Sequence, residues 1–98
     1  MAIRSFADQA TADIAQEVGS KVARRKLPPI LHDVAYRKLV FLDSVHSLQD
    51  LANWKGLHLE RLKGNRKDQY CVRINNQYRI CFCWNGTDAA EVEIVDYH

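Results

Sequence analysis

The sequence predicts an α+β fold in which helices come first and an antiparallel β-meander follows. Apolar residues recur at spacings of three and four in the first half of the chain, whereas after Gly56 the spacing changes to two. A length of 98 residues leaves room for a single domain, which we expect to cover residues 1–98. The composition, with 47% hydrophobic and 27% charged residues, is typical of a globular protein rather than a disordered or fibrous one.

The N-terminal segments predict a strand, a helix and a loop. Residues 2–6 alternate apolar and polar side chains, which is typical of a short strand, and residues 7–18 are rich in Ala, Gln and acids, which favours a helix. Gly19 can end that helix. Residues 20–26 place four basic side chains just before two consecutive prolines, and here we expect a mobile loop.

The main helix is expected after Pro29 and should end near His46. Proline is well tolerated in a first helical turn, and the apolar positions that follow it repeat at helical spacing: Ile30, Leu31, Val34, Ala35, Leu39, Phe41, Leu42 and Val45. Residues 47–51 look like a short cap-and-turn element. Ser47 would be its N-cap, with Asp50 three residues later as an acidic variant of the capping box.

The second half predicts a four-stranded meander, with strands over residues 57–62, 69–74, 78–84 and 90–96. A three-residue loop over residues 75–77 would place Val72 opposite Ile80, and every large apolar side chain of the two strands would then share one face. The same register places Arg73 directly opposite Arg79 on the other face, beside the three cysteines Cys71, Cys81 and Cys83. Two arginines paired in this way repel each other unless an anion lies between them.

The charge distribution indicates a local anionic partner. The net charge is only +2, but residues 55–79 hold seven basic residues against two acids, and no basic residue occurs from Ile80 onward. Such a basic centre is typical of nucleic-acid binding without the global positive charge of a general DNA-coating protein. No apolar run approaches the length of about 18 residues that a membrane helix requires, so we expect a protein that is not exported and has no membrane partner.

The three cysteines fit neither a disulfide framework nor a standard zinc site, because their number is odd and no C-x-x-C pair occurs. We expect reduced thiols that serve as small buried hydrophobic side chains.

Two features leave alternatives open. Arg73 and Arg79 could bind a phosphate, or they could be ordinary strand arginines, each neutralised by an acid such as Glu60, Glu91 or Glu93. The C-terminal triplet Asp96-Tyr97-His98 could supply general acid and base groups, or it could be a frayed chain end.

Four motifs in this order resemble the RelE superfamily of bacterial toxins, most closely its HigB or "plasmid maintenance killer" branch. They are Leu62-Lys63-Gly64-Asn65-Arg66, Val72-Arg73-Ile74-Asn75, Tyr78-Arg79-Ile80 and the terminal Asp96-Tyr97-His98. The resemblance extends over nearly the whole chain. It implies a RelE-like fold, in which a short N-terminal strand and two helices pack on the antiparallel meander.

The resemblance also implies a function. Members of this branch are toxins of type II toxin-antitoxin systems that cut messenger RNA in the A site of the 70S ribosome, without a metal or another cofactor. The expected partners are therefore the 70S ribosome, its mRNA and a helix-turn-helix, HigA-like antitoxin. The reduced cysteines separately predict a cytoplasmic location. The basic segment over residues 19–29 would be mobile in the free protein, and would become ordered on ribosomal RNA or on the antitoxin.

Carried over residue by residue, the resemblance assigns a candidate site. Lys63 matches the catalytic lysine, Arg79 matches a phosphate-contacting arginine, and Asp96, Tyr97 and His98 match the terminal catalytic group. Where branch members can have a histidine three residues before the lysine, this chain has Glu60, with His58 two residues further back, so both are candidate proton acceptors. The candidate RNA-binding residues of the basic stretch are Arg61, Arg66, Lys67 and Arg73.

Two other functions are compatible with parts of this pattern. A ParE-like toxin would share the fold but act by binding DNA gyrase without RNA chemistry. A plain ribosome-binding or RNA-binding module would need the basic stretch but not the C-terminal triplet.

Overall fold

A computed structural model describes residues 2–62 and 69–97 of the chain. Four of the site residues expected from the sequence, Lys63, Arg66, Lys67 and His98, therefore lie outside the described residues. Within them the helices are α1 (Gln9–Ala15), α2 (Lys21–Lys26), α3 (His32–Ser44) and α4 (Leu48–Asn53). The strands are β1 (Glu60–Arg61), β2 (Gln69–Arg73), β3 (Tyr78–Trp84) and β4 (Ala89–Asp96), which form one antiparallel sheet in sequential order.

Side-chain caps begin three of the helices. The side chain of Asp8 accepts a hydrogen bond from the backbone N–H of Thr11 at the start of α1, at 2.7 Å. Ser47 does the same for Asp50 at the start of α4, so its prediction as an N-cap is confirmed. The Asp50 carboxylate accepts from the N–H of His46, one residue before the cap, rather than from Ser47 as in the standard capping box.

The prediction of a loop over residues 20–26 is wrong, because α2 forms there. The hydroxyl of Ser20 caps the helix by accepting from the N–H of Ala23 at 3.1 Å. Ala23 and Leu27 are both fully buried, so one side of this short, basic helix packs into the core. Basic side chains and flanking prolines dominate the sequence here, and the few apolar positions that anchor α2 are too short a pattern to reveal a helix.

The meander follows the predicted order, with one shortened strand. The range of β3 is as predicted, and β2 and β4 differ from the prediction by one residue each. The strand expected over residues 57–62 is reduced to Glu60–Arg61, because Lys55–Leu57 forms a 3-10 turn and His58 has a left-handed backbone with φ of 50°. The strand expected over residues 2–6 is present only as two isolated parallel bridges to β4, Ile3 with Ala89 and Phe6 with Val92.

The helices cover one face of the sheet. The core on that face contains buried side chains from the sheet, among them Val72, Ile80, Phe82 and Ile94, together with side chains from the helices. The opposite face holds a smaller apolar cluster of Leu62, Cys71 and Cys81, with the partly buried Val95 against it. No helix in the described part of the chain is long and apolar enough to span a membrane.

Candidate active site

The open face of the sheet carries the predicted pair of arginines. Arg73 lies opposite Arg79, and Val72 lies opposite Ile80, so the register expected from the sequence is confirmed. The N–H of Ile74 donates to the carbonyl of Tyr78 at 2.9 Å, which makes those two residues a hydrogen-bonded pair. Because such pairs alternate along an antiparallel ladder, Arg73 and Arg79 form a non-hydrogen-bonded pair, where side chains are closest and Cα atoms lie about 4.5 Å apart.

Arg79 is buried at this position, with only 7% of its surface exposed. Its Nη1 donates to the carbonyl of Asn75 and, at 3.2 Å, to the carbonyl of Tyr78, which ties the guanidinium to the β2–β3 turn. The Nε atoms of both Arg79 and Arg73 are buried without a hydrogen-bond partner in the described structure. The pair therefore retains unused donors next to two positive charges.

The acids expected to neutralise these arginines do not pair with them. Among the ion pairs of the described residues, none includes Arg73 or Arg79, and Glu93 pairs instead with Lys26 at 3.6 Å. The reading of Arg73 and Arg79 as ordinary salt-bridged strand arginines has no support in these contacts. Two like charges at directly opposed positions favour an anion between them.

A third cation reinforces the positive potential from the helix side. The ammonium of Lys38, on α3, donates to the carbonyl of Arg73 at 2.7 Å and to that of Ile74 at 3.3 Å. Burial lowers the pKa of Lys38, and the charge of Arg73 lowers it further. Lys38 was not predictable as a site residue, because its helical position gives no sign that its ammonium reaches the end of β2.

The ring of Tyr97 lies against the guanidinium of Arg79. The guanidinium carbon of Arg79 is 5.2 Å from the centroid of the Tyr97 ring, a cation–π contact, while 40% of Tyr97 remains exposed. The N–H of Tyr97 donates to the carbonyl of Gln77 at 2.7 Å, which fixes the chain at this point. The described part of the C-terminal triplet is thus held against the sheet, and the alternative of a frayed end does not apply to Tyr97.

Asp96 faces a different neighbour. It lies opposite Tyr78 in the ladder, and its Oδ2 accepts a hydrogen bond from Nε2 of Gln77 at 3.0 Å. Because successive residues of a strand point to opposite faces, Asp96 and Tyr97 diverge. The structure brings Tyr97 to Arg79, and it brings Asp96 to the side chain of Gln77.

The other predicted site residues occupy different places around this face. Glu60 lies opposite Cys71, so it shares the open face with the arginine pair. Arg61 lies opposite Tyr70, which belongs to the helix-covered face, so the structure does not bring Arg61 to Arg73. His58 is exposed and sits in the left-handed turn before β1.

Residues 2–62 and 69–97 contain no group of three or more His, Cys, Asp or Glu side chains placed to hold a metal ion.

Comparison with known proteins assigns the chain to a family. A family model described as "RelE-like toxin of type II toxin-antitoxin system HigB" matches residues 5–98. The chain is 37% identical over 60 residues to the toxin HigB-1 of Vibrio cholerae, an alignment that covers 61% of this chain and 63% of that protein. It is also 30% identical over 63 residues to an uncharacterized protein of Haemophilus influenzae, which covers 64% of this chain and 62% of the relative. The chain therefore spans less than two thirds of the length of these two relatives.

The fold is shared with a solved toxin structure. The YoeB dimer from Staphylococcus aureus has a subunit that superposes with a TM-score of 0.53 and 13% sequence identity, over 100% of this chain and 99% of that chain. The α+β, RelE-like architecture predicted from the sequence is thereby confirmed. Since the family model covers all but the first four residues, this chain belongs to the HigB family of RelE-like toxins of type II toxin-antitoxin systems.

Proposed function

We propose that this toxin is a ribosome-dependent endoribonuclease that stops translation by cutting mRNA in the A site of the 70S ribosome. The observation that carries the proposal is the pair of Arg73 and Arg79 on the open sheet face, which no ion pair of the described residues neutralises, with the ring of Tyr97 on Arg79. Family membership supports the same function. A HigA-like helix-turn-helix antitoxin is the proposed protein partner, and the proposed site of action is the cytoplasm.

The chemistry of RNA cleavage explains why such a pair is useful. Attack by the 2′-hydroxyl on the neighbouring phosphorus needs a base for the hydroxyl proton, an acid for the departing 5′-oxygen and positive charge for the extra negative charge on phosphorus. The Nε atoms of Arg73 and Arg79 are buried without hydrogen-bond partners in the described structure, and the two opposed guanidinium groups would stabilise a phosphate bound beside them. None of these roles requires a metal ion bound by the protein.

The remaining roles follow from the family resemblance. Lys63 would add positive charge at the phosphate, and Tyr97 and His98 would transfer protons. The resemblance gives Asp96 the role of orienting these two residues. Glu60 is a candidate base because it shares the open face with the arginines, and His58 is the second candidate. Arg66 and Lys67, with Arg61, would contact RNA outside the reacting phosphate.

The test is primer extension on a defined mRNA, with purified toxin in the presence and absence of 70S ribosomes. Lys63→Ala and Arg73→Gln should each reduce cleavage by about 100-fold or more, which is the usual loss when one charge-stabilising group is removed. Arg79→Lys is preferable to Arg79→Ala, because Arg79 also donates hydrogen bonds to the β2–β3 turn. Toxin that is treated with a chelator and then freed of it should cleave as before.

The matched control is Arg37→Ala, which removes an exposed arginine that pairs with Asp33 on α3. This variant should cleave like the unmodified protein. Cleavage without ribosomes would contradict ribosome dependence, and full activity of Lys63→Ala would contradict the assigned site. Intact mRNA together with inhibited DNA gyrase would replace the proposal with the ParE-like function.

A further inference from the structure

Two thiols occupy directly opposed positions on the open face of the sheet. Cys71 on β2 lies opposite Cys81 on β3, two residues along the ladder from Arg73 and Arg79. The alternation that makes the arginines a non-hydrogen-bonded pair makes the cysteines one as well, with Cα atoms about 4.5 Å apart. That separation falls within the range of about 4.4–6.8 Å that a disulfide bridges.

The two thiols already interact. A side-chain hydrogen bond from Cys81 lowers the pKa of Cys71, and the positive charge of Arg79 acts in the same direction. Burial and the carboxylate of Glu60 oppose these effects without cancelling them. The surroundings of Cys71 therefore favour the thiolate, which is the nucleophilic form of cysteine.

Of the two opposed cysteines, only Cys81 is accessible to solvent. Cys81 is 8% exposed and lines an open cavity of about 330 Å³ together with Cys83, Gln69 and Glu93. Cys71 is fully buried behind it. Of the two opposed thiols, a small oxidant in the cavity therefore meets Cys81 first, while Cys71 is held in contact with Cys81 and shielded from direct attack.

We propose that Cys71 and Cys81 form an oxidant-sensitive dithiol, which a hydroperoxide converts into a cross-strand disulfide. This modification site is independent of the proposed RNA cleavage. Cys71 and Cys81 are free, buried thiols as expected from the sequence, and the proposal gives them a role in addition to packing.

The reaction balances in two steps. The sulfur of Cys81 attacks one oxygen of hydrogen peroxide, the O–O bond breaks, and the other oxygen leaves as water with the thiol proton. The sulfur of Cys71 then attacks the resulting sulfenic acid, the S–S bond forms, the S–O bond breaks, and the second oxygen leaves as water with the proton of Cys71. Two thiols and one peroxide give one disulfide and two waters, with two electrons passing from sulfur to oxygen.

The test treats the reduced full-length protein with hydrogen peroxide, quenches with acid, and alkylates remaining thiols in denaturant before peptide mass mapping. We expect Cys71 and Cys81 to resist alkylation together, in a monomer that has lost two hydrogen atoms, while Cys83 remains alkylated. Dithiothreitol should restore both thiols. The Cys83→Ser variant should give the same result, since Cys83 takes no part.

The Cys71→Ala variant provides the complementary measurement. Without its partner, the sulfenic acid on Cys81 should persist and react with dimedone, and no intramolecular disulfide should form. Any of three outcomes would overturn the proposal: a disulfide that contains Cys83, a disulfide between two chains, or alkylation of both Cys71 and Cys81 after Cys83 has been oxidised. Peptide mass mapping of the unmodified protein tests the proposal even if Cys71→Ala does not fold.

Discussion

Arg79 combines a structural role with an electrostatic one. Its Nη1 donates hydrogen bonds to the carbonyls of Asn75 and Tyr78, so the guanidinium stabilises the β2–β3 turn. Its positive charge lies opposite that of Arg73 in the ladder. A buried arginine that no ion pair of the described residues neutralises is costly for a fold. Contact with the ring of Tyr97 offsets part of that cost, and a bound phosphate would offset more.

Tyr97 allows its ring and its hydroxyl to be tested separately. Tyr97→Phe keeps the ring on Arg79, so RNA binding should stay within about twofold, a change of roughly 0.4 kcal/mol. The loss of the hydroxyl should lower kcat by about 100-fold if it transfers a proton. Tyr97→Ala removes both groups and should weaken binding as well as cleavage. Single-turnover cleavage and a filter-binding assay on ribosome–mRNA complexes measure the two effects.

Tyr36→Phe is the matched control for this series, since it removes a half-buried tyrosine hydroxyl on α3 and should change neither quantity. Equal kcat values for Tyr97→Phe and the unmodified protein would show that the Tyr97 hydroxyl has no catalytic role.

Asp8 should make stability depend on pH. Burial alone would raise its pKa, but hydrogen bonds from Thr11 and the ammonium of Lys26 outweigh burial and hold the pKa below its usual value of 3.8. A carboxyl whose pKa is lower in the folded state stabilises the fold above the unfolded-state pKa and loses that contribution as pH falls through the folded-state value. Asp8→Asn keeps an N-cap acceptor and removes only the charge.

We therefore expect Asp8→Asn to have a lower free energy of unfolding than the unmodified protein at pH 7, with a difference that shrinks below about pH 4. Urea unfolding at several pH values measures it. Asp33→Asn, which breaks an exposed ion pair, should cost no more than about 1 kcal/mol. A difference for Asp8→Asn that is the same at pH 7 and pH 3 would contradict the expectation.

At the scale of elements, α2 depends on its surroundings. A helix of six residues is not stable by itself in water, so its caps and its tertiary contacts must hold it. Ser20 caps the N-terminus, Leu27 is fully buried, and Lys26 near the C-terminal end pairs with Asp8 at 2.9 Å and with Glu93 at 3.6 Å. These contacts attach a strongly basic helix both to α1 and to the sheet.

Removal of the cap should loosen α2 without disturbing the sheet. We expect Ser20→Ala to destabilise the helix by about 1 kcal/mol, because the N–H of Ala23 loses its acceptor. Hydrogen exchange over Lys21–Lys26 should then become about fivefold faster, while β2 and β3 exchange as before. Ser44→Ala, at an exposed hydroxyl near the end of α3, is the control. Unchanged exchange in α2 would show that the cap contributes little.

At the scale of the whole molecule, one buried hydrogen bond joins the helices to the edge of the sheet. The N–H of Ile94 on β4 donates to the hydroxyl of Thr11 on α1 at 3.1 Å, and both residues are fully buried. Thr11→Val has nearly the same shape but offers no acceptor, so the buried N–H would be left without a partner. We expect a loss of about 1–3 kcal/mol in the free energy of unfolding.

Thr11→Ser retains the hydroxyl and should recover most of the hydrogen-bond energy, apart from the loss of one methyl group. Thermal and urea unfolding of both variants would make the comparison. If Thr11→Val is as stable as the unmodified protein, then β4 does not depend on this contact with α1.

The class of the fold, the order of the strands and the pairing of Arg73 with Arg79 were predictable from the sequence. These features follow from local periodicity and from the requirement that Val72 and Ile80 share the buried face, because a slip of one residue would expose them. The motifs also identified the toxin family. Ser47 was predictable as an N-cap because capping depends on a few neighbouring residues.

The contacts that the site residues make are apparent only in the folded protein. These contacts depend on residues that are far apart in the chain. They include the burial of Arg79, the position of Tyr97 on Arg79, the hydrogen bond from Lys38 to the carbonyl of Arg73, and the contact of Asp96 with Gln77 instead of Tyr97. The same holds for α2, whose helical form rests on Ala23 and Leu27 packing into a core built mostly by other segments. Periodicity reports which side of an element is apolar, whereas long-range packing selects the partner that each polar group meets.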